Sequence, residues 1–323
     1  MALSSMLTQY FPPPPTLTES SLPSQKGKIF IITGGNAGVG LELIKLLYPT
    51  GATIYMASRS SERASAAIKT ITSSNSENAK NLKFLQLDLN DLHSVRAAAK
   101  KFQNLEGKLD VLWNNAGIGT VPVGTKTEQG IEANMGVNVI GPLLFSTLLV
   151  PQLRAAAASA PAGSVRVVWT SSWMMEGGAP KGGYTLSELE KGGSKDATVN
   201  YSTSKAANFI VSNEFQKRYG KEGIVSVCQN PGNLNTTIYD SVNRVVMVFV
   251  RWFLLHPVKM GAYTEVFAGL GEGVGGGYVI PWGRVQERRK NPRGDIWEAM
   301  ENGKGEVLWE WCFKKIDACK EKV

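Results

Sequence analysis

Ile29-Phe30-Ile31-Ile32-Thr33-Gly34-Gly35-Asn36-Ala37-Gly38-Val39-Gly40 begins as an apolar strand and ends as a glycine-rich turn. Leu41, Leu43, Ile44, Leu46 and Leu47 follow with the spacing of an amphipathic helix. The unit is therefore strand, loop, helix. Such a helix start offers unpaired N–H groups and a positive dipole end to a phosphate. Glycine is required there wherever backbone must approach a ligand or take positive φ. The spacing is T-G-x-x-x-G-x-G, not the G-x-G-x-x-G of the common dinucleotide fingerprint. Taken alone, the same turn also serves as a plain structural strand–helix junction.

Further apolar runs lie at Thr53–Ala57, Leu82–Leu87, Leu109–Trp113, Val165–Trp169, Ile224–Cys228 and Tyr278–Ile280, separated by helix-like segments. Alternation of this kind predicts a parallel sheet covered on both faces. The fold class expected is α/β, a single doubly wound Rossmann-like domain with a seven-stranded parallel sheet. Residues 27–283 form that domain, 1–26 a flexible extension and 284–323 a C-terminal helical extension. The first 26 residues lack arginine and carry Pro12–Pro15 among many Ser and Thr, unlike a signal or transit peptide. Their composition reads as disordered.

Three cysteines, Cys228, Cys312 and Cys319, form neither a disulfide framework nor a zinc pattern. With only His93 and His256 for histidines, no metal site is expected. The thiols suit a reducing compartment, and the expected location is the cytoplasm. No apolar run reaches the ~20 residues of a membrane span. The formal charge of +8 is dispersed except at Arg284, Arg288, Arg289, Lys290 and Arg293. That cluster reads as solvated surface or dimer contact, with an anionic membrane surface as the other reading. Without a nucleic-acid module or interleaved aromatics, nucleic-acid binding is not expected.

Tyr201-Ser202-Thr203-Ser204-Lys205 places a phenol and an ammonium four apart on one helix face. A phenol titrates near 10, too high for proton transfer at neutral pH. A nearby ammonium stabilises the phenolate and brings the group toward useful acid–base range. On its own such a pair is commonly surface.

With these two motifs, the chain resembles the short-chain dehydrogenase/reductase family from about Lys28 to Tyr278. Landmarks follow in family order: the glycine loop, Asp88, Asn114-Asn115-Ala116-Gly117, Asn138, Ser171-Ser172, Tyr201/Lys205, Pro231-Gly232 and Thr236. Thr127 to Gly141 and Gly261-Ala262-Tyr263-Thr264 are most similar to the retinol-dehydrogenase type. The resemblance implies a dinucleotide held by Gly34, Asn36, Gly38, Val39 and Gly40 at the phosphates. Asp88 and Leu89 would meet the adenine, Asn115, Ala116 and Gly117 the adenosine ribose, and Thr236 the carboxamide. Lys205 would bind the nicotinamide ribose beside Tyr201 and lower the pKa of its phenol. Asn114 would tie adjacent strands together. Tyr201 would be proton donor or acceptor, Ser172 rather than Ser171 would bind the substrate oxygen, and Asn138 would hold a water linking Lys205 to solvent.

The cofactor expected is NADP(H). Ser58-Arg59-Ser60 ends the second strand with no acid before Glu62, and a guanidinium there suits a 2′-phosphate. Asn36 stands where some NADP-dependent relatives carry a base. The implied activity is reduction of a ketone or aldehyde, or oxidation of the matching alcohol, on a bulky hydrophobic substrate, with secondary metabolism as a setting. Trp173-Met174-Met175 and Val242, Val246, Phe249 and Trp252 suit such a substrate, although residues of this kind also serve as ordinary helix core. A lid is expected around 237–260, and the glycine-rich linker from Glu176 to Val199 could border the same pocket. Enone reduction or cyclisation, and a non-catalytic NADP(H) sensor, are the competing readings. A homodimer and a peripheral membrane contact stay open.

Overall fold

The computed structural model describes residues 2–74, 76–235, 255–288, 291 and 293–319. β1 (Ile29–Thr33) is buried at every position. It runs parallel between β2 (Thr53–Ser58) and β4 (Val111–Asn114), with Phe30 opposite Ile54 and Val111. β3 (Leu82–Gln86), β5 (Val165–Thr170), β6 (Ile224–Gln229), β7 (Tyr278–Ile280) and β8 (Arg284–Gln286) complete the order β3-β2-β1-β4-β5-β6-β7-β8. The chain reverses direction across the sheet between β1 and β4, and in open α/β sheets ligands bind outside the carboxyl ends at that point.

Alternate side chains of each strand enter different cores. Phe30 and Ile32 join Ile54, Met56 and Trp113 on one face, and Ile29 and Ile31 join Tyr55, Leu112 and Val167 on the other. Phe30 and Trp113 meet edge to face with centroids 5.2 Å apart. Full burial of side chains of this size stabilises by about 1.5–3 kcal/mol each, which is why the strands carry so few polar residues. Arg166 is the exception in β5, and its guanidinium donates to the carbonyls of Gly163, Ala268 and Gly271.

Seven helices matter for the site: α1 (Ala2–Tyr10), α2 (Gly38–Leu47), α3 (Leu92–Leu105), α4 (Ala197–Tyr219), α5 (Val258–Leu270), α6 (Gly294–Glu301) and α7 (Lys304–Asp317). α2 and α5 cover one face of the sheet, while α3, α4, α6 and α7 supply the core of the other.

Three features depart from the sequence reading. The seven parallel strands are joined by an eighth, β8, which pairs antiparallel to β7 where only helix was expected. Gly283, at φ 88°, makes the reversal, and its N–H donates to the Ile280 carbonyl at 3.1 Å.

Residues 2–26, within the extension expected to be flexible, carry a helix and ordered side-chain contacts. α1 docks on the sheet's carboxyl edge, and the Pro12–Pro15 run ends it. Beyond it Glu19 accepts from Lys259 and the Tyr263 hydroxyl, which hold its carboxyl down to about 2.

The basic cluster is largely engaged within the chain. Arg284 donates to Thr8, Arg288 pairs with Glu301, and Arg293 reaches Asp295 and the carbonyls of Met175, Ala179 and Pro180. Arg289 and Lys290 lie outside the described residues.

Candidate active site

The glycine loop is shaped by two requirements. Gly34 and Gly38 take φ of 69° and 56°, which L side chains rarely adopt. Gly40 instead is small for packing: a Cβ there would stand 2.6 Å from Asn115 Nδ2 and 2.7 Å from the Gly34 carbonyl. A Cβ on Gly38 would meet nothing within 4 Å, so that side of the turn is open. The N-cap of α2, Ala37, offers no side-chain cap, leaving the first N–H groups of the helix for an anion. Asn36 sits in the turn and Val39 in the first turn of α2, both half-buried.

Around this loop the adenosine side is built by β1, β2, β3 and β4. The Asn115 side chain donates to the Thr33 carbonyl at 2.8 Å, and Ala116 N–H to Thr33 Oγ1 at 2.9 Å. Arg59 is exposed just past β2, with its carbonyl held by Gln86 Nε2. Among the described residues no carboxylate forms an ion pair with it. Asp88 accepts from Asn90 N–H at 2.9 Å, a turn that fixes its carboxyl beyond β3. Leu89 belongs to the hydrophobic core and abuts Gly141. Asn114 donates to Ser146 Oγ at 2.9 Å, so it ties β4 to a helix rather than to a neighbouring strand.

β5 delivers two serines with different surroundings. Ser171 is buried, and its hydroxyl donates to the Lys205 carbonyl at 2.7 Å. Ser172 is half-buried, and its hydroxyl oxygen accepts from Met174 N–H at 3.2 Å, leaving its own hydrogen to give. The short helix Met174–Gly178 that follows packs on α4 at Ser202, the residue next to Tyr201.

α4 is started by Asp196, whose carboxylate accepts from Thr198 and Val199 N–H. One turn in, Tyr201 and Lys205 share a face, with Lys205 Nζ 5.6 Å from the phenol ring centroid. Lys205 is buried and donates to the Thr170 carbonyl at 3.1 Å. Burial pushes its pKa down to about 8, against the opposing pull of Cys228 and Glu265.

Asn138 lies in a π-helical turn, Gly136–Ile140, a distortion frequently found at functional sites. Its amide nitrogen donates to the Ile118 carbonyl and Ser204 Oγ, both at 3.0 Å, and its oxygen accepts from Ile118 N–H at 2.8 Å. Both amide hydrogens are thus used, and a water could bond only to Oδ1. A Cβ on Gly117 would lie 3.0 Å from Asn138 Oδ1 and 3.4 Å from Lys205 Nζ, so the two polar groups converge over that glycine.

Two groups of residues join the site that the motifs do not contain. Glu265, fully buried on α5, accepts from Thr170 Oγ1 at 3.0 Å and Gln229 Nε2 at 2.7 Å. Burial drives its carboxyl up to about 8. Thr170 therefore links it to Lys205, presenting its hydroxyl to one and its carbonyl to the other. The signal in the sequence is a lone acid inside the apolar run Ala262 to Ala268. The second group is α1 with Glu176, whose carboxyl accepts from Ser5 Oγ at 2.9 Å and Gln9 Nε2 at 2.8 Å. Periodic Met6 and Tyr10 before the proline run are its faint signature. Thr236 and most of the expected lid fall at 236–254, outside the described residues.

A family model described as short chain dehydrogenase matches residues 28–185. A short-chain dehydrogenase/reductase of Pestalotiopsis fici is 47% identical over 96% of this chain and 97% of its own. Another, from Phomopsis amygdali, is 38% identical over 98% and 97%. Among solved structures, an uncharacterized protein of Mycobacterium paratuberculosis superposes with a TM-score of 0.65 at 26% identity, covering 90% of this chain and 97% of that one. The NADPH-bound carbonyl reductase from chicken fatty liver shares the fold, with a TM-score of 0.61 at 23% identity over 82% and 99%.

Proposed function

Since the chain belongs to the short-chain dehydrogenase/reductase family, whose members act on alcohol and carbonyl carbon, we propose that it reduces a bulky hydrophobic ketone or aldehyde with NADPH, or oxidises the matching alcohol with NADP⁺. A step in secondary metabolism is the setting we assign it. The observation that carries this reading is the ordering of one face of α4. Lys205 is buried 5.6 Å from the Tyr201 ring, and of the two serines at the end of β5, the half-buried Ser172 keeps a hydroxyl hydrogen to give.

The residues present fit the dinucleotide. The open side of Gly38 and the uncapped start of α2 suit a pyrophosphate, with Gly34, Asn36, Val39 and Gly40 around it. Arg59 would take the 2′-phosphate by charge-assisted bonds. Asp88 and Leu89 would border the adenine, Asn115, Ala116 and Gly117 the adenosine ribose, and Thr236 the carboxamide. When bound, the nicotinamide supplies or accepts the hydride.

The chain's own work is binding, orientation and proton handling. Ser172 donates a hydrogen bond to the substrate oxygen and fixes the carbonyl against Tyr201. The Tyr201 phenol gives its proton to that oxygen as the carbon is reduced. The Lys205 ammonium favours the phenolate left behind, and the same ammonium binds the nicotinamide ribose. Asn138 holds the loop after β4 against α4 and offers Oδ1 to a water through which the proton is replaced.

Titration with NADPH and NADH, followed by turnover on a panel of bulky ketones, tests this. NADPH should bind in preference. Tyr201→Phe should lower kcat by about 10²–10⁴-fold while NADPH affinity stays the same. Full turnover in Tyr201→Phe, or equal binding of both nucleotides, would sink the reading.

A further inference from the structure

Among the described residues, the contacts of α1 with side chains around the sheet fall on one side of the switch point. Its partners follow β5 (Trp173 and Glu176), follow β6 (Asn230) and lie at the two ends of β8 (Arg284 and Gln286). None of these belongs to the glycine loop, β2 or β3. The helix therefore stands at the carboxyl edge of β5 to β7, beside Ser172 and away from the dinucleotide groove.

The way it is held is also unusual. Ser5 and Gln9 are 3% and 1% exposed, whereas Leu3, Leu7 and Phe11 are 65%, 49% and 59% exposed. A helix docked for hydrophobic stabilisation would bury the leucines. This one is located by directed polar contacts instead. Gln9 donates to Glu176 Oε1 and to Ser5 Oγ, and its own oxygen accepts from Asn230 Nδ2 at 2.8 Å. Ser5 donates to Glu176 Oε2 and accepts from Gln286 Nε2. Arg284 grips Thr8 at its hydroxyl and its carbonyl, both at 2.6 Å. The Tyr10 carbonyl accepts from His256 Nε2 at 2.8 Å, which puts the proton on that ring nitrogen. Such contacts specify position more than they add stability, since each buried hydrogen bond replaces one already made to water.

What they position is an aromatic pair. The Tyr10 ring meets Trp173 edge to face, centroids 5.4 Å apart, and Trp173 directly follows Ser172. We propose that α1 is a fixed wall of the substrate pocket, and that Tyr10, held by the Gln9–Glu176–Asn230 clamp, selects for ring-bearing apolar carbonyl compounds. This rests on the oxidoreductase reading for the place of Ser172. Tyr10 acts by contact with the substrate, whereas Gln9 is a positioning residue.

The naphthyl ketone prodan serves as probe, because its emission shifts to the blue in an apolar site and its carbonyl is reducible. Binding is measured on the full chain saturated with NADP⁺, and turnover with NADPH on prodan and on 2-butanone. Tyr10→Ala and Gln9→Leu should each weaken prodan binding about tenfold. They should raise KM for prodan with little change in kcat, and leave NADPH affinity and 2-butanone turnover near those of the unaltered chain. Leu3→Ser, on the outward face, should bind prodan normally. Equal prodan binding in Tyr10→Ala and the unaltered chain, a parallel loss of 2-butanone turnover, or no prodan binding at all would overturn the proposal. Prodan binding that depends on Tyr10, in a protein that turns over no ketone, would instead sustain the wall and refute the reductase.

Discussion

On the β1–β4 side of the sheet, the groups arranged for a dinucleotide come from Gly34 to Gly117 in one continuous stretch of chain. On the β5–β7 side the walls we propose come from Gln9, Trp173, Glu176, Asn230 and Arg284, brought together from nearly the whole length. The first region works mostly with backbone: uncapped N–H groups, positive φ and the absence of a Cβ. The second works with side chains. A phosphate is recognised by geometry that a short motif can encode. An apolar substrate must be met by surfaces that only tertiary structure assembles.

Substitutions can break this contrast, and the largest effect is expected in the backbone-built half. Gly40→Ala would force a Cβ to within 2.7 Å of the Gly34 carbonyl. Overpacking of this kind costs about 1–3 kcal/mol, so NADPH affinity should fall about tenfold to hundredfold, with the ratio of rates on large and small ketones unchanged. A changed ratio would show that the two halves are not separable.

Arg59→Ala comes next. It should weaken NADPH about tenfold, the value of a charge-assisted hydrogen bond, and leave NADH binding as it was. Unchanged NADPH affinity in a fluorescence titration would place the 2′-phosphate elsewhere.

The smallest effect belongs to the seam between the halves. Lys205 must be an ammonium to favour the phenolate, and burial has brought its pKa down to about 8. Reduction should therefore hold level below that pH and fall above it. The Glu265 carboxyl raises the Lys205 pKa, so Glu265→Gln should move the fall to lower pH, by less than about half a unit since burial also keeps that carboxyl largely protonated at neutrality. A pH–rate profile that stays in place, or moves upward, would show that the Glu265 charge does not act on Lys205.

The contrast also explains what could be read from the chain. Apolar runs such as Ile29–Ile32 and Val165–Trp169 announce buried parallel strands because both faces are covered. Arg284-Val285-Gln286 announces nothing, since its two polar side chains are satisfied by α1 and by Asn291 rather than by solvent. α1 was hidden for a related reason. Pattern rules assume that the apolar face is the buried one, and here Ser5 and Gln9 are inside.

Tyr201 and Lys205 on α4 lie four residues apart in sequence, so their shared face was legible as a pair. The division of labour between Ser171 and Ser172 became a physical matter only with the bond from Ser171 to the Lys205 carbonyl. Glu265 was out of reach because nothing in an apolar helix says that its one acid points toward Thr170 and Gln229. The basic cluster misled through Arg284 and Arg293. A guanidinium with five donors can be spent on backbone carbonyls, as Arg293 does on Met175, Ala179 and Pro180.

The docking of α1 also has a consequence for the order of events during synthesis. Thr8 leaves the ribosome well before its partner Arg284, which follows 276 positions later. At ~5–20 residues per second that is a wait of roughly 14 to 55 s. Ser5 and Gln9 are solvated by water until Glu176 emerges, and Thr8 waits longer still for Arg284. On the proposed reading, a nascent chain would have its Gly34–Gly117 stretch made while α1 still lacks its Arg284 anchor, and the wall that selects the substrate would be completed late.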